Sequence, residues 1–211
     1  MMTRALVTGA AGFIGSHLVE HLLKNTDWQI VCLDRLDSAG TLHRLAHLMS
    51  QHRRRLEFVW HDLKAPLGDH ARARLGVIEY VFHLAASSSV DRSLANPVEC
   101  VADNVLGTAH LLDWYRVDIG DIFGRSRFFN FGTDEVFGPA PDDYRYKEDD
   151  RYAPSNPYAA SKCGQAALGM AYHTSYGLPV ITTYTMNNFG ERQHPEKLVP
   201  KTIRCLLTGA R

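Results

Sequence analysis

Three regularly spaced glycines, Gly9-x-x-Gly12-x-x-Gly15, constrain the fold of this chain more than any other feature. A short apolar run over residues 4–8 precedes them, and Ile14, Leu18, Leu22 and Leu23 follow on one side of a helical pattern. Strand, glycine turn and helix in that order give each glycine a task. Gly9 permits the tight turn, Gly12 lets the backbone approach a pyrophosphate, and Gly15 lets helix and strand pack closely. The helix start, with Phe13 and Ile14 beside it, offers unpaired N–H groups to phosphate oxygens. A bare glycine-rich turn is the alternative, and the matched surroundings weigh against it.

The rest of the chain repeats the alternation. Residues 29–33 predict a second strand ending in Asp34, about 20 residues after the glycines, where a dinucleotide fold places an acidic residue. That carboxylate would accept hydrogen bonds from the adenosine ribose and repel a 2′-phosphate. It favours NAD over NADP, while Arg35 beside it leaves NADP open. Leu42, Leu45, Leu48 and Met49 recur at helical spacing, and residues 56–60 predict a third strand leading to Asp62 and Leu63. Asp62 either meets the adenine amino group or is a loop carboxylate. Residues 77–84 read as a fourth strand, with His83 packed inside and Leu84, Ala85 and Ala86 leaving room for a cofactor.

Asn96-Pro97 looks like a helix start, with Asn as cap and Pro in the first turn. Val98, Val101, Val105, Ala109 and Leu112 would share one face, and the polar Asn104 among them suggests a hydrogen-bonding duty near the site. Residues 128–131 predict a fifth strand that delivers Thr133, Asp134 and Glu135 at its carboxyl end, where open α/β sheets bind ligands. Residues 139–156, rich in Pro, Asp and Tyr, predict a long loop of the kind that often serves as a lid. A helix beginning at Pro157 would put Tyr158 and Lys162 on one face by their i, i+4 spacing. A sixth strand over 178–183, an exit turn over 186–190 and a helix over 196–207 complete the pattern. The alternation predicts an α/β fold with a doubly wound parallel sheet, the Rossmann arrangement.

Composition narrows the partners. Lys plus Arg and Asp plus Glu each number 23, so no global field draws the chain to nucleic acid or anionic lipid. Arg53-Arg54-Arg55 reads as a solvated helix end. Cys32, Cys100, Cys163 and Cys205 form no Cys-x-x-Cys pair and favour reduced thiols over disulfides or a metal site. No apolar run approaches a membrane span and no leader is recognisable, so a cytoplasmic protein is expected.

Taken together, Gly9-x-x-Gly12-x-x-Gly15, Thr133 and Tyr158-x-x-x-Lys162 resemble the extended short-chain dehydrogenase/reductase family, and more closely its nucleotide-sugar 4,6-dehydratases. The closer likeness rests on residues 34–40, His83-Leu-Ala-Ala86, Val90-Asp-Arg-Ser93, Asn104-Val-Leu-Gly-Thr108, Thr133-Asp-Glu-Val-Phe-Gly138, Asn187-Asn-Phe-Gly190 and Pro195-Glu-Lys-Leu198. Thr-Asp-Glu is the specific signal, since epimerases and decarboxylases of the family usually carry other residues there. The chain departs from the pattern at Ser87, Ser88 and Ser89, where Glu-Ser-His is common, at Gly132 for Ser, and at Phe137 for Tyr. It also ends at Arg211, where relatives usually run on for a further substrate subdomain.

The resemblance implies an internal redox reaction on a nucleoside-diphosphate hexose, with bound NAD as cofactor. Tyr158, assisted by Lys162, would be the base at the carbon 4 hydroxyl and Thr133 would hold that hydroxyl. Glu135 would take the carbon 5 proton, and Asp134 would protonate the departing carbon 6 hydroxyl. The cofactor would be held by Gly9, Gly12, Phe13, Ile14, Gly15, Asp34, Arg35, Asp62, Leu63, Leu84, Ala85, Ala86, Asn104, Tyr158, Lys162 and Asn188. Ser88, Thr133, Asn187, Lys197 and Leu198 would meet the substrate, with Lys197 placed for its diphosphate. A plain turn remains open for Asn187-Asn188, and a solvent-facing loop for Asp134 and Glu135. Residues 1–185 would form the NAD-binding domain and 186–211 the start of the substrate region, in a homodimer paired through two long helices. The competing readings are an epimerase or decarboxylase using Tyr158 and Lys162, and an NAD-binding fragment without turnover.

Overall fold

The computed structural model describes residues 2–37, 39–120 and 124–209, so Ser38 of the 34–40 motif and the terminal Arg211 lie outside the described residues. Six strands form one parallel sheet in the order β3-β2-β1-β4-β5-β6. They are β1 Arg4–Thr8, β2 Gln29–Asp34, β3 Leu56–Trp60, β4 Tyr80–His83, β5 Arg127–Thr133 and β6 Val180–Thr185. The order reverses between β1 and β4, which opens a crevice at the carboxyl ends of those strands. The doubly wound parallel sheet is therefore present as expected.

Alternation along β1 shows why both faces must be covered. Ala5 and Val7 point into one core with Ile30, Cys32, Val19, Leu22 and Leu23. Leu6 points into the other, with Val31, Val81, Leu111, Leu112, Trp114 and Phe128. Successive strand residues face opposite sides, so a strand buried on both has to be apolar throughout. Helix α1 (Phe13–Asn25) covers the first face, and α2 (Ala46–Gln51) adds Leu48. On the second face lie α3 (Asp69–Leu75) and a long helical stretch, with α5 (Pro97–Val101) and α6 (Gly107–Trp114) separated by a widened π turn at Ala102–Leu106. The short α4 (Val90–Ala95) precedes α5, and α7 (Pro157–Tyr176) follows β5. The last helix, α8 (Leu198–Thr208), contains no buried residue.

Two sequence expectations need correction. The fourth strand starts at Tyr80, not residue 77, because Gly76 closes α3 at φ 61° and Val77 is still exposed. The apolar face expected for the long helix is also displaced. Val98 and Val101 are exposed, and the buried side carries Cys100, Asn104, Thr108 and Leu111. The π turn holds an extra residue and changes the helical phase, and Asn104 and Thr108 are buried because both are hydrogen-bonded.

Gly132 has a packing reason. A Cβ there would overlap the carbonyl oxygen of Thr183 on β6. Gly132→Ala is expected to destabilise the fold by about 1 to 3 kcal/mol by forcing the two strands apart. Urea denaturation checks this, and an unchanged midpoint would refute it. Phe137 fits its place likewise. It is buried among Tyr146, Tyr152 and Tyr184, where a ring without a hydroxyl leaves no polar group unpaired. This cluster, with Tyr152 and Tyr184 hydroxyls 2.6 Å apart, fastens the irregular segment over 139–156 to β6.

Candidate active site

The crevice begins at the glycine turn. Gly9 adopts φ 66°, and its N–H donates to Leu33 O at 2.9 Å. A Cβ on Gly15 would overlap the Gly9 carbonyl, so only glycine lets α1 start this close to β1. Gly12 is the N-cap of α1 and no side chain caps it. The first-turn N–H groups thus remain available, which is the donor set a pyrophosphate requires. Gly9, Gly12, Phe13, Ile14 and Gly15 all line the cleft.

At the end of β2, Asp34 accepts from Ala11 N at 2.9 Å and from Leu36 N at 2.8 Å. Burial raises its pKa despite those two hydrogen bonds. A carboxylate has about four acceptor sites, so two remain for ribose hydroxyls. Gly40 is needed here because a Cβ would sit 2.7 Å from Asp34 Oδ1. Arg35 and Asp62 line the same corner and stand 3.7 Å apart, and Asp62 also accepts from Lys64 N at 3.0 Å. Leu63 lies beside them, its carbonyl 2.8 Å from His110 Nδ1.

The floor is fixed by a buried hydrogen-bond chain. Thr8 Oγ1 accepts from Ala85 N at 3.1 Å and lies 2.8 Å from His83 Nδ1. His83 Nε2 is 2.8 Å from Thr108 Oγ1, whose proton goes to Asn104 O at 2.6 Å. Thr108 can then only accept from the ring, which assigns the proton to Nε2 and leaves Nδ1 to accept from Thr8. Burial and the nearby Lys162 push the His83 pKa down to about 3, so the ring is a neutral strut. The packed histidine expected from the sequence is what the fold contains. Asn104 itself is fully buried and lies behind the cleft wall. Its amide oxygen accepts from Ser87 N at 2.7 Å, and its NH₂ donates to Ser87 O and Ser161 Oγ at 3.0 and 2.8 Å. It holds the loop carrying Leu84, Ala85, Ala86 and Ser88, which do line the cleft.

The residues expected from the sequence to react meet where β5 ends. Thr133 caps a 3₁₀ turn over Asp134–Phe137, accepting from Glu135 N at 3.3 Å. Its hydroxyl also lies 3.4 Å from Asp134 Oδ1. Glu135 lines the cleft, with Asn156 Nδ2 3.5 Å from its carboxylate, whereas Asp134 is not among the lining residues. Tyr158 and Lys162 enter from the first turns of α7, which Asn156 caps by accepting from Ala159 N at 2.8 Å. Tyr158 N donates to Ser93 Oγ at 3.1 Å, tying α7 to α4.

The electrostatics differ from the expectation that Lys162 favours a phenolate. Burial, and then the Glu135 carboxylate, push the Tyr158 phenol up to about 12, against a lowering by its hydrogen bond with Thr133. Lys162 is fully buried and donates instead to Phe131 O and Gln165 Oε1, each at 2.6 Å. Burial lowers its pKa to about 7. Two of its three protons are engaged, so one donor remains for the cleft that it lines.

The exit of β6 forms the opposite wall. Asn187 and Asn188 line it, with Asn188 O accepting from Gln193 Nε2 at 3.0 Å. Lys197 reaches across the cleft to donate to Ser88 O at 3.1 Å. Leu198 opens α8 in an exposed position away from the wall. Asp103 and Gln165, which hold Arg35 and Lys162, were not singled out in the sequence. Gln165 had a usable signal, since a polar residue three positions after Lys162 shares its helix face.

A sequence profile of the GDP-mannose 4,6-dehydratase family matches residues 6–211. The chain belongs to that family. It is 44% identical over 205 residues to the low-salt glycan biosynthesis protein Agl12 of Haloferax volcanii, covering 97% of this chain and 63% of that protein. It is 38% identical over 223 residues to a dTDP-glucose 4,6-dehydratase of Salmonella typhimurium, covering 98% of this chain and 60% of the enzyme. The chain thus spans less than two thirds of these relatives. Among solved structures, the dTDP-glucose 4,6-dehydratase DesIV of Streptomyces venezuelae, with NAD bound, superposes with a TM-score of 0.87 at 38% identity, over 98% of this chain and 63% of that one. A UDP-N-acetylglucosamine 4-epimerase of Methanobrevibacter ruminantium gives 0.84 at 29% identity, over 99% and 64%. Dehydratases and epimerases therefore share this scaffold.

Proposed function

We propose that this chain provides the NAD site and the reacting groups of a nucleotide-sugar 4,6-dehydratase. The observation that carries the reading is that Thr133, Glu135, Tyr158 and Lys162 line one cleft together with the glycine turn. The uncapped start of α1, the glycines that a Cβ would obstruct and the two spare acceptor positions of Asp34 fit a dinucleotide. Gly9, Gly12 and Gly15 would hold its pyrophosphate, Asp34 its ribose, Asp62 and Leu63 its adenine, and Tyr158, Lys162 and Asn188 its nicotinamide end. Hydride removal from carbon 4 of a hexose and return at carbon 6 is the chemistry NAD supplies when bound.

The chain's own residues do the proton work. Tyr158 removes the carbon 4 hydroxyl proton while Thr133 fixes that hydroxyl in line. A phenol raised to about 12 is a poor base near neutrality, so positive charge beside it is required. Lys162, which lines the same cleft with one proton unengaged, would provide it. Once carbon 4 is a ketone, the hydrogen on carbon 5 becomes acidic and Glu135 takes it. Asp134 lies off the cleft wall, its Oδ1 3.4 Å from Thr133 Oγ1, and in this reading it turns inward, protonated, to give its proton to the carbon 6 hydroxyl as it leaves. Ser88 and Asn187 would hold the sugar, and Lys197 would exchange Ser88 O for the diphosphate. Residues 1–185 form the cofactor unit in this reading, and 186–211 open the substrate region.

Pairing of two copies through the outer sides of α5 to α7 would cover the exposed Val98, Val101 and Met170, and sedimentation equilibrium tests that arrangement. For the reaction, the protein is incubated with dTDP-glucose and with UDP-glucose. A 4-keto-6-deoxy sugar, read by its absorbance in alkali, is the expected product. A product keeping its 6-hydroxyl would replace this reading by an epimerase. NAD binding without any turnover of either sugar would reduce it to a cofactor module.

A further inference from the structure

The adenosine corner of the cleft contains an ion-pair knot that the proposed reaction does not use. Arg35 directly follows Asp34, and an arginine nearby is what accommodates the 2′-phosphate of NADP in dinucleotide folds. Here the guanidinium is turned onto carboxylates. It donates through Nη1 and Nη2 to both oxygens of Asp103, the second at 2.8 Å. It also donates through Nε and Nη2 to Asp37 Oδ2 at 3.1 and 2.8 Å, and Nη1 stands 3.7 Å from Asp62. The Asp37 side chain is 42% exposed and that of Asp103 only 5%, so Asp103 is the fixed partner of the two. A paired carboxylate on both Nη atoms leaves the guanidinium no fork to offer another anion.

The surroundings reinforce this. Lys64, the other cation of the knot, stands within 4.0 Å of Asp62, Glu99 and Asp103. Two cations therefore sit among five carboxylates, Asp34 included. Arg44 also lines the corner but donates to the main-chain carbonyls of Ala11, Ala39 and Arg192. A 2′-phosphate brought to Asp34 would meet net negative charge and no disengaged guanidinium.

We infer that Asp103 is a positioning residue for cofactor choice: by holding Arg35 it denies a 2′-phosphate the guanidinium beside Asp34, and so sets the cleft for NAD against NADP. The inference rests on the proposed use of a nicotinamide dinucleotide. It also predicts what removing the clamp does. Arg35 would be left partly buried with half its pairing lost, and an uncompensated buried charge seeks a new anion.

Calorimetric titration of the 211-residue protein with NAD⁺ and NADP⁺ tests it. Wild-type protein should bind NAD⁺, and failure there strikes the cofactor reading itself. Asp103→Asn and the smaller Asp103→Ser should each tighten NADP⁺ binding by about tenfold or more, the worth of one charge-assisted hydrogen bond. NAD⁺ affinity should change far less. The gain should vanish when Arg35→Ala is added to Asp103→Asn. In otherwise wild-type protein, Arg35→Ala should not tighten NADP⁺ binding, because it frees Asp37 and Asp103 to repel the phosphate. An Asp103 variant that binds NAD⁺ normally without gaining NADP⁺ would overturn the inference. So would a gain that survives Arg35→Ala, or tighter NADP⁺ binding from Arg35→Ala alone.

Discussion

Glu135→Gln is expected to lower formation of the 4-keto-6-deoxy sugar by about 10²- to 10⁴-fold, the usual contribution of a positioned acid or base. Glutamine keeps the shape of the side chain and can keep its contact with Asn156, but cannot take a proton from carbon 5. Glu135 N still donates to Thr133 Oγ1, so the 3₁₀ turn and the Thr133 hydroxyl stay in place. NAD binding by calorimetry should therefore be unchanged. Removing the carboxylate also takes away one of the causes that raise the Tyr158 pKa, so oxidation at carbon 4 should not suffer. Accumulation of a 4-keto sugar still carrying its 6-hydroxyl would locate the block at water loss. Full turnover by the variant would remove Glu135 from the mechanism.

Lys162→Met should change how stability depends on pH. In the unfolded chain this lysine binds its proton up to its ordinary value near 10.5, whereas in the fold it releases it near 7. Between those values the unfolded state binds more protons, so wild-type stability gains from this residue as pH rises. The full penalty of the buried ammonium applies below about pH 7 and fades as pH rises toward 10.5. Relative to Lys162→Met, wild-type protein should gain roughly 2 to 3 kcal/mol from about pH 6 to about pH 9. Methionine leaves Phe131 O and Gln165 Oε1 without their donor, but that loss does not vary with pH and cannot imitate the slope. Parallel urea-denaturation profiles for the two proteins would show that the ammonium is not desolvated as described.

Local patterns in the sequence were sufficient for the sheet and for many of the residues that line the cleft. The glycine spacing, the carboxylate after β2 and the Tyr158–Lys162 face are short-range, and each fell where expected. What could not be read depends on partners far apart in the chain. Asp103 meets Arg35 across 68 positions, and Asn104 meets Ser161 across 57. Neither pairing leaves a periodic trace. Asp134 shows another limit, since one residue of backbone rotation at the strand end turns its neighbour Glu135 into the cleft and leaves Asp134 off the wall. The valine stripe of the long helix misled for a related reason. Its regular spacing suggests a buried face, yet the interior is reserved for Asn104 and Thr108, which anchor the floor.

The widened turn over Ala102–Leu106 lets adjacent residues serve two places at once. Asp103 reaches the clamp on Arg35, and Asn104 reaches the backbone of Ser87. One residue corresponds to about 100° of helix rotation, so deleting a single position in this turn would swing both side chains away together. The hold on Arg35 and the hold on the loop of Ser87 are thus inherited as a unit. A change of length here would disturb both, while a change of side chain at either position would disturb one.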